Sequence, residues 1–232
     1  MEDHNQINQF CNYFLKQINI IESLSNLLYQ KLLYASMLDT LGRARYPEGN
    51  NRQRIVSFID NYSGWSDKNR ISLVQLSFHL DHVLEKTERN DSKLYKFVHE
   101  RLSSWKSGSI YYPNTDPLIN EISKMALEKE ENSVKLARYA ELFYTYRNKM
   151  VHEFREPGYG IEMSNNGSTP YYHSYINGHW QLVFPVEFFK ALCKKCLDGL
   201  KKCLLKENVN PYDQYEFSDM WTDPQKLKKK KN

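Results

Sequence analysis

The stretch SVKLARYAELFYTYRNKMVHEF, residues 133–154, reads as one long helix and decides the fold class. Leu136, Ala140, Phe143 and Val151 fall on one line at helical spacing, and Pro157-Gly158 supply the stop. Upstream, Asp116-Pro117 predicts a helix start, since Asp is a good N-cap and Pro suits a first turn. The charged run Glu121–Glu131 follows it. Ser107-Gly108 and Tyr111-Tyr112-Pro113-Asn114 predict a loop between two halves. Before that loop, helices are expected over Leu94–Trp105, Ile71–Lys86 and Arg52–Tyr62, the last stopping at Ser63-Gly64. Nearer the N-terminus, Ile7, Phe10, Phe14, Ile18 and Ile21 make a helical stripe. Leu24, Leu28, Leu32, Ala35, Leu38 and Leu41 continue it as far as Gly42 and Pro47. Downstream, Tyr171–Ile176 and His179–Phe184 are aromatic and β-branched segments around Asn177-Gly178, a hairpin signature. Pro185 then opens a final helix to about Leu205. The fold class is therefore mainly α: a helical bundle over residues 1–225, elaborated by a segment from about 50 to 115 and by one β-hairpin over 171–184.

Composition agrees with a folded chain. In 232 residues, 41% are apolar and 26% charged, too apolar for a disordered protein. No apolar run approaches the roughly 18 residues of a membrane span, so no membrane partner is expected. Met1–Gln9 is polar and acidic, unlike a secretory signal, which makes a cytoplasmic location the expectation. The net charge of +4 comes from the end of the chain, where Lys226, Lys228, Lys229, Lys230 and Lys231 stand together. Residues 226–232 read as a solvated, disordered tail, and the rest of the chain is nearly neutral. Overall charge thus gives no argument for nucleic-acid binding.

Metal chemistry has two weak candidates. Cys193 and Cys196 form a C-x2-C, but Phe189, Leu192, Cys193, Cys196, Leu200 and Cys203 also make an amphipathic stripe. No second pair or nearby His completes a tetrahedral site, so core packing is the plainer reading. His79, His82 and Glu85 share a helix face, for which solvation is the plainer reading and a metal cluster the alternative. No metal or other cofactor is expected. His173 and His179 flank the hairpin as ordinary strand residues or RNA contacts.

The sharper signal is Tyr144-Thr145-Tyr146-Arg147-Asn148-Lys149-Met150-Val151-His152, an R-x4-H with Asn directly after the Arg, near a helix end. The bare spacing is common by chance; the adjacent Asn and the helix stop sharpen it. RNA carries its own nucleophile, the 2′-hydroxyl. A cut needs a group to move protons, which a His near its neutral pKa supplies. It also needs a cation for the phosphoryl oxygens, which an Arg fork supplies. Asn148 lies one turn before His152 and can orient it; Tyr144, one turn earlier again, can contact a base or sugar. Asp39, before Arg43 and Arg45, is a candidate to approach Arg147 across the bundle, or else a surface ion-pair partner.

On Arg147, Asn148 and His152, set in a helical chain, the sequence resembles the HEPN superfamily of α-helical bundles. Many members are metal-independent ribonucleases with an R-x4–6-H motif. The resemblance implies an endoribonuclease with Arg147 and His152 catalytic and an RNA substrate. It also implies a toxin or antiphage setting, with an antitoxin or a larger defence complex as partner. Phe154 stands where the toxin branch carries the tyrosine of R-x4-H-x-Y, the residue its antitoxin adenylylates. Helix geometry adds that residues five apart differ by about 140° in direction and about 7.5 Å in height. Arg147 and His152 of one chain therefore do not converge readily, and a homodimer with its site on the two-fold is expected, as in HEPN relatives. The alternative is a non-catalytic HEPN-like module that binds RNA or a protein partner, with Arg147 in an ion pair to Glu153 or Glu156.

Overall fold

The computed structural model describes residues 2–158, 162, 167–174 and 178–215. Ten α-helices and three short strands are described: α1 (Glu2–Glu22), α2 (Leu27–Arg45), α3 (Asn51–Tyr62), α4 (Leu73–Val83), α5 (Lys86–Asp91), α6 (Lys93–Ser103), β1 (Ile110–Tyr111), α7 (Ile119–Ile122), α8 (Glu131–Leu136), α9 (Tyr139–Glu153), β2 (Tyr171–Ser174), β3 (Trp180–Val183) and α10 (Val186–Glu207). The mainly helical class expected from the periodicity is what the chain adopts. Tyr175, Ile176 and Asn177 of the expected hairpin, and the lysine tail, lie outside the described residues.

Two hydrophobic clusters organise these elements. The larger is built from α1, α2, α3, α9 and α10, with α10 packed on α1, α2 and α3. Cys11, Cys193 and Cys196 are buried in it beside Phe189 and Leu192, so the C-x2-C spacing belongs to a core stripe. The smaller runs from Ile71 to Ala137 and gathers Leu73, Leu76, Leu80, Leu94, Val98, Ile122 and Val134. The elaborating segment is thus displaced from the expected 50–115. Ile55, Phe58 and Ile59 of α3 pack into the main cluster, while the second cluster continues past residue 115.

Several expected boundaries move for identifiable reasons. The N-terminal stripe is broken at Asn26, whose side chain caps α2 by accepting from Tyr29 N–H. Gly42 lies inside α2 rather than ending it. A Cβ there would sit 3.3 Å from Arg54 Cγ, so the glycine lets α3 approach. The 133–154 stretch is two helices, because the backbone between them turns aside to pair with a distant segment. Tyr139 N–H donates to Arg70 O (3.0 Å), and Ser72 N–H donates to Ala137 O (2.9 Å). Arg138 is fixed at that turn by a fork onto Asp60, 3.0 Å from each oxygen. The expected stop at Pro157-Gly158 comes earlier, at Phe154, which takes the left-handed conformation (φ 53°).

The hairpin acquires a third strand that the loop reading of residues 107–114 did not anticipate. β1 lies antiparallel on β2, with Ile110 opposite His173 and Tyr111 opposite Tyr172. β2 in turn pairs with β3, Tyr171 opposite Val183 through Ser174 opposite Trp180. The two-residue β1 is held less by its ladder than by rings. Trp105 stacks on Tyr111 (4.4 Å between centroids, 10° between planes), and Trp180 meets both edge-on.

Candidate functional site

All four motif residues project from the last three turns of α9. Arg147 is only 7% exposed, and its Nη2 forms an ion pair with the carboxylate of Asp39 on α2. The approach of Asp39 across the bundle is therefore present, and the alternative partners are otherwise engaged. Glu153 pairs with Arg155, while Glu156 accepts from Lys31 and from Tyr146 Oη. Arg147 Nε is buried without an acceptor among the described residues, and burial lowers the guanidinium's pKa. Asp39 keeps about three-tenths of its side chain exposed, so the pair sits at the edge of the α2–α9 contact.

His152 is exposed at the end of the helix, Asn148 and Tyr144 are half-buried, and Tyr144 packs against the main cluster. A buried cation and an exposed imidazole thus lie on different sides of one helix, as their spacing dictates. The nearer cavity, about 300 Å³, does not unite them: α9 gives it Leu142, Thr145, Tyr146 and Lys149. Four apolar side chains of these two segments are exposed: Tyr29 and Leu33 of α2, Val151 of α9 and Phe154 just past its end, with the Tyr29 and Phe154 ring centroids 5.9 Å apart.

The chain beyond His152 is anchored by charge. Lys31, fully buried on α2, lies 2.7 Å from a carboxylate oxygen of both Glu156 and Glu162. Glu162 in turn accepts from Val186 N–H, satisfying the start of α10, where Pro185 offers no capping side chain. Nothing local in the sequence announces this cluster, because Lys31 and Glu156 are 125 residues apart.

A second buried polar centre likewise has no local signature in the sequence. Asp116 does not cap a helix; α7 begins three residues later, after Leu118. Its carboxylate instead accepts from Leu73 N–H (3.1 Å), Tyr139 Oη (2.8 Å) and Tyr172 Oη (2.6 Å), and Tyr172 Oη in turn accepts from the Ser72 hydroxyl (2.8 Å). Desolvation outweighs these donors and pushes the Asp116 pKa up to about 6. The remaining candidates do not assemble. His79 reaches Ser133 O (3.4 Å), His82 reaches Phe78 O (2.8 Å), and Glu85 opens α5. His79 is half-buried rather than solvated, which lowers its pKa. His173 is buried in β2, and His179 is exposed before β3. Among the described residues no three His, Cys, Asp or Glu side chains gather closely enough to hold a metal ion.

Compared with known proteins, the chain matches no family model, no curated protein and no solved structure. What it does must be argued from its own geometry.

Proposed function

We propose that the chain is an endoribonuclease of the HEPN type that acts as a homodimer. In the proposed step the RNA 2′-hydroxyl attacks the adjacent phosphorus and the bond to the 5′-oxygen breaks. A 2′,3′-cyclic phosphate and a 5′-hydroxyl result. His152 takes or delivers the proton, Arg147 answers charge on the phosphoryl oxygens, and Asn148 orients His152. Tyr144 supports the site from the preceding turn. Asp39 holds the guanidinium.

The observation carrying this reading is the placement of the motif. A desolvated arginine is fixed by a carboxylate from another helix, and an exposed histidine ends the same helix. A second copy laid on the exposed side chains of Tyr29, Leu33, Val151 and Phe154 would bring the partner's motif beside this one. The rival reading, a non-catalytic module, is favoured by one fact: Asp39 already answers the charge of Arg147. The test is incubation of purified protein with RNA in a chelator, followed by analysis of the product ends. Cyclic phosphate ends that vanish in His152→Ala support the nuclease; intact RNA, or cleavage only with added Mg²⁺, rejects it.

A further inference from the structure

A cavity of about 660 Å³ lies away from α9, at the seam between the two hydrophobic clusters. Leu73, Phe97 and Met125 reach it from the smaller cluster, and Trp105 and Tyr111 from the larger. Its size falls within the roughly 300–1,000 Å³ of small-ligand sites, which favour such seams. We infer that this cavity is a binding site for a nucleoside monophosphate, a planar ring carrying one phosphate.

Three features specify that class. The first is a pair of arginine forks. Arg101 makes no ion pair among the described residues and rests over the Phe97 ring at 5.5 Å, which holds its guanidinium in place. Arg70 gives Nε to Asp67 (2.8 Å) and Nη1 to Asp116 O (2.6 Å), which leaves Nη2 without an acceptor among the described residues. Two guanidinium edges lining one cavity match the oxygens of a phosphate. The second is the aromatic lining: Phe97 carries Arg101 on one face and Trp105 stacks on Tyr111, so a base would extend that stack from the outer face of Tyr111. The third is Glu121. One of its oxygens accepts from Leu118 N–H (3.0 Å), and the other is left for a ribose hydroxyl or an exocyclic amine. Asp116 does not oppose the phosphate directly, since its carboxylate is turned inward onto Tyr139 and Tyr172.

Calorimetric titration of the full chain with adenosine, guanosine, cytidine and uridine 5′-monophosphates tests the assignment, with the nucleosides and inorganic phosphate as part-ligands. At least one monophosphate should bind, and loss of either its phosphate or its nucleoside should weaken binding by about tenfold or more, the value of a charge-assisted hydrogen bond or a stacked base. Arg101→Gln, at an exposed side chain whose loss leaves the fold intact, should weaken the monophosphate by about tenfold and leave the affinity of its nucleoside unchanged, since Arg70 still faces the phosphate. Arg101→Glu should abolish binding. His152→Ala should bind as the wild type does, which separates this site from the proposed nuclease centre. No heat with any of the four monophosphates overturns the inference, as does wild-type affinity in Arg101→Gln. Binding of single-stranded RNA without any mononucleotide overturns it too.

Discussion

Arg147 and His152 share a motif but face different surroundings, and substitution should separate them. His152 is exposed, so His152→Ala should leave the melting temperature unchanged while removing cleavage. Arg147→Ala leaves Asp39 without its cation in a partly buried position. It should cost about 1–3 kcal/mol in urea unfolding, a range lowered from that of a fully buried pair because Asp39 keeps some solvent. Asp39→Asn should cost a comparable amount. Equal stability of all three variants would show that the pair contributes nothing. At Asp116 the sign is fixed by linkage. Its native pKa of about 6 lies above that of an unfolded aspartate, so the native state takes up the proton first as pH falls. The residue's contribution is least favourable above about pH 6 and improves toward pH 4. Relative to Asp116→Asn, the wild type should therefore gain about 2 kcal/mol between pH 7 and about pH 4.5, from 1.36 kcal/mol per pKa unit. Urea titrations at the two pH values check this; a gain of the opposite sign would mean that the tyrosine donors outweigh desolvation.

At the scale of elements, close helix contact makes the boldest demand on sequence. Gly199 sits in the middle of α10, where alanine would ordinarily favour the helix by about 1 kcal/mol. Here a Cβ would stand 2.6 Å from Tyr62 O at the end of α3, a backbone atom that cannot swing away. Gly199→Ala should therefore destabilise the chain by about 1–3 kcal/mol, lowering the thermal midpoint, despite its better propensity. A raised midpoint would mean that α3 and α10 can part without loss. The same contest between local and distant forces explains which elements were legible. The stripes of α3, α6 and α10 were readable because each buries one face at regular spacing. The α8–α9 break was not, because Arg138 leaves the helix to pair with Ile71 and to fork onto Asp60. Asp116-Pro117 has the local chemistry of a helix start, but three distant donors claim its carboxylate. Two residues, Ile110 and Tyr111, are too few to show a strand period, and Tyr111 is held by the Trp105 ring and by Trp180 from a distant strand. Of the candidate site, charge and helix position leave Asp39 two partners, Arg147 across the bundle or a surface cation beside it, and the fold makes the first pairing. The Lys31 anchor and the seam cavity depend on contacts that no local pattern encodes.

At the scale of the whole molecule, the geometry of α9 bears on assembly. Arg147 and His152 diverge by about 140° on one helix, and a single chain leaves one buried and the other exposed. Tyr29 and Leu33 of α2, with Val151 and Phe154 from the end of the motif helix, are exposed apolar side chains, the kind of surface that an isologous pair covers on both copies at once. If that surface is the interface, Leu33→Asp together with Val151→Asp should give a monomer in sedimentation with no loss of fold, because both side chains are already exposed. Cleavage should fall with the dimer. Complementation then asks which chain supplies which group. Arg147→Ala and His152→Ala chains, each inactive alone, are unfolded together, refolded and assayed. Half of the mixed dimers' composite sites, those drawing Arg147 from one chain and His152 from the other, are then intact, so part of the wild-type rate should return in proportion to the mixed species. A rate that stays at zero while tagged chains demonstrably exchange would reject a site built from one residue of each chain. A monomer that cleaves RNA at full rate would reject the dimer itself.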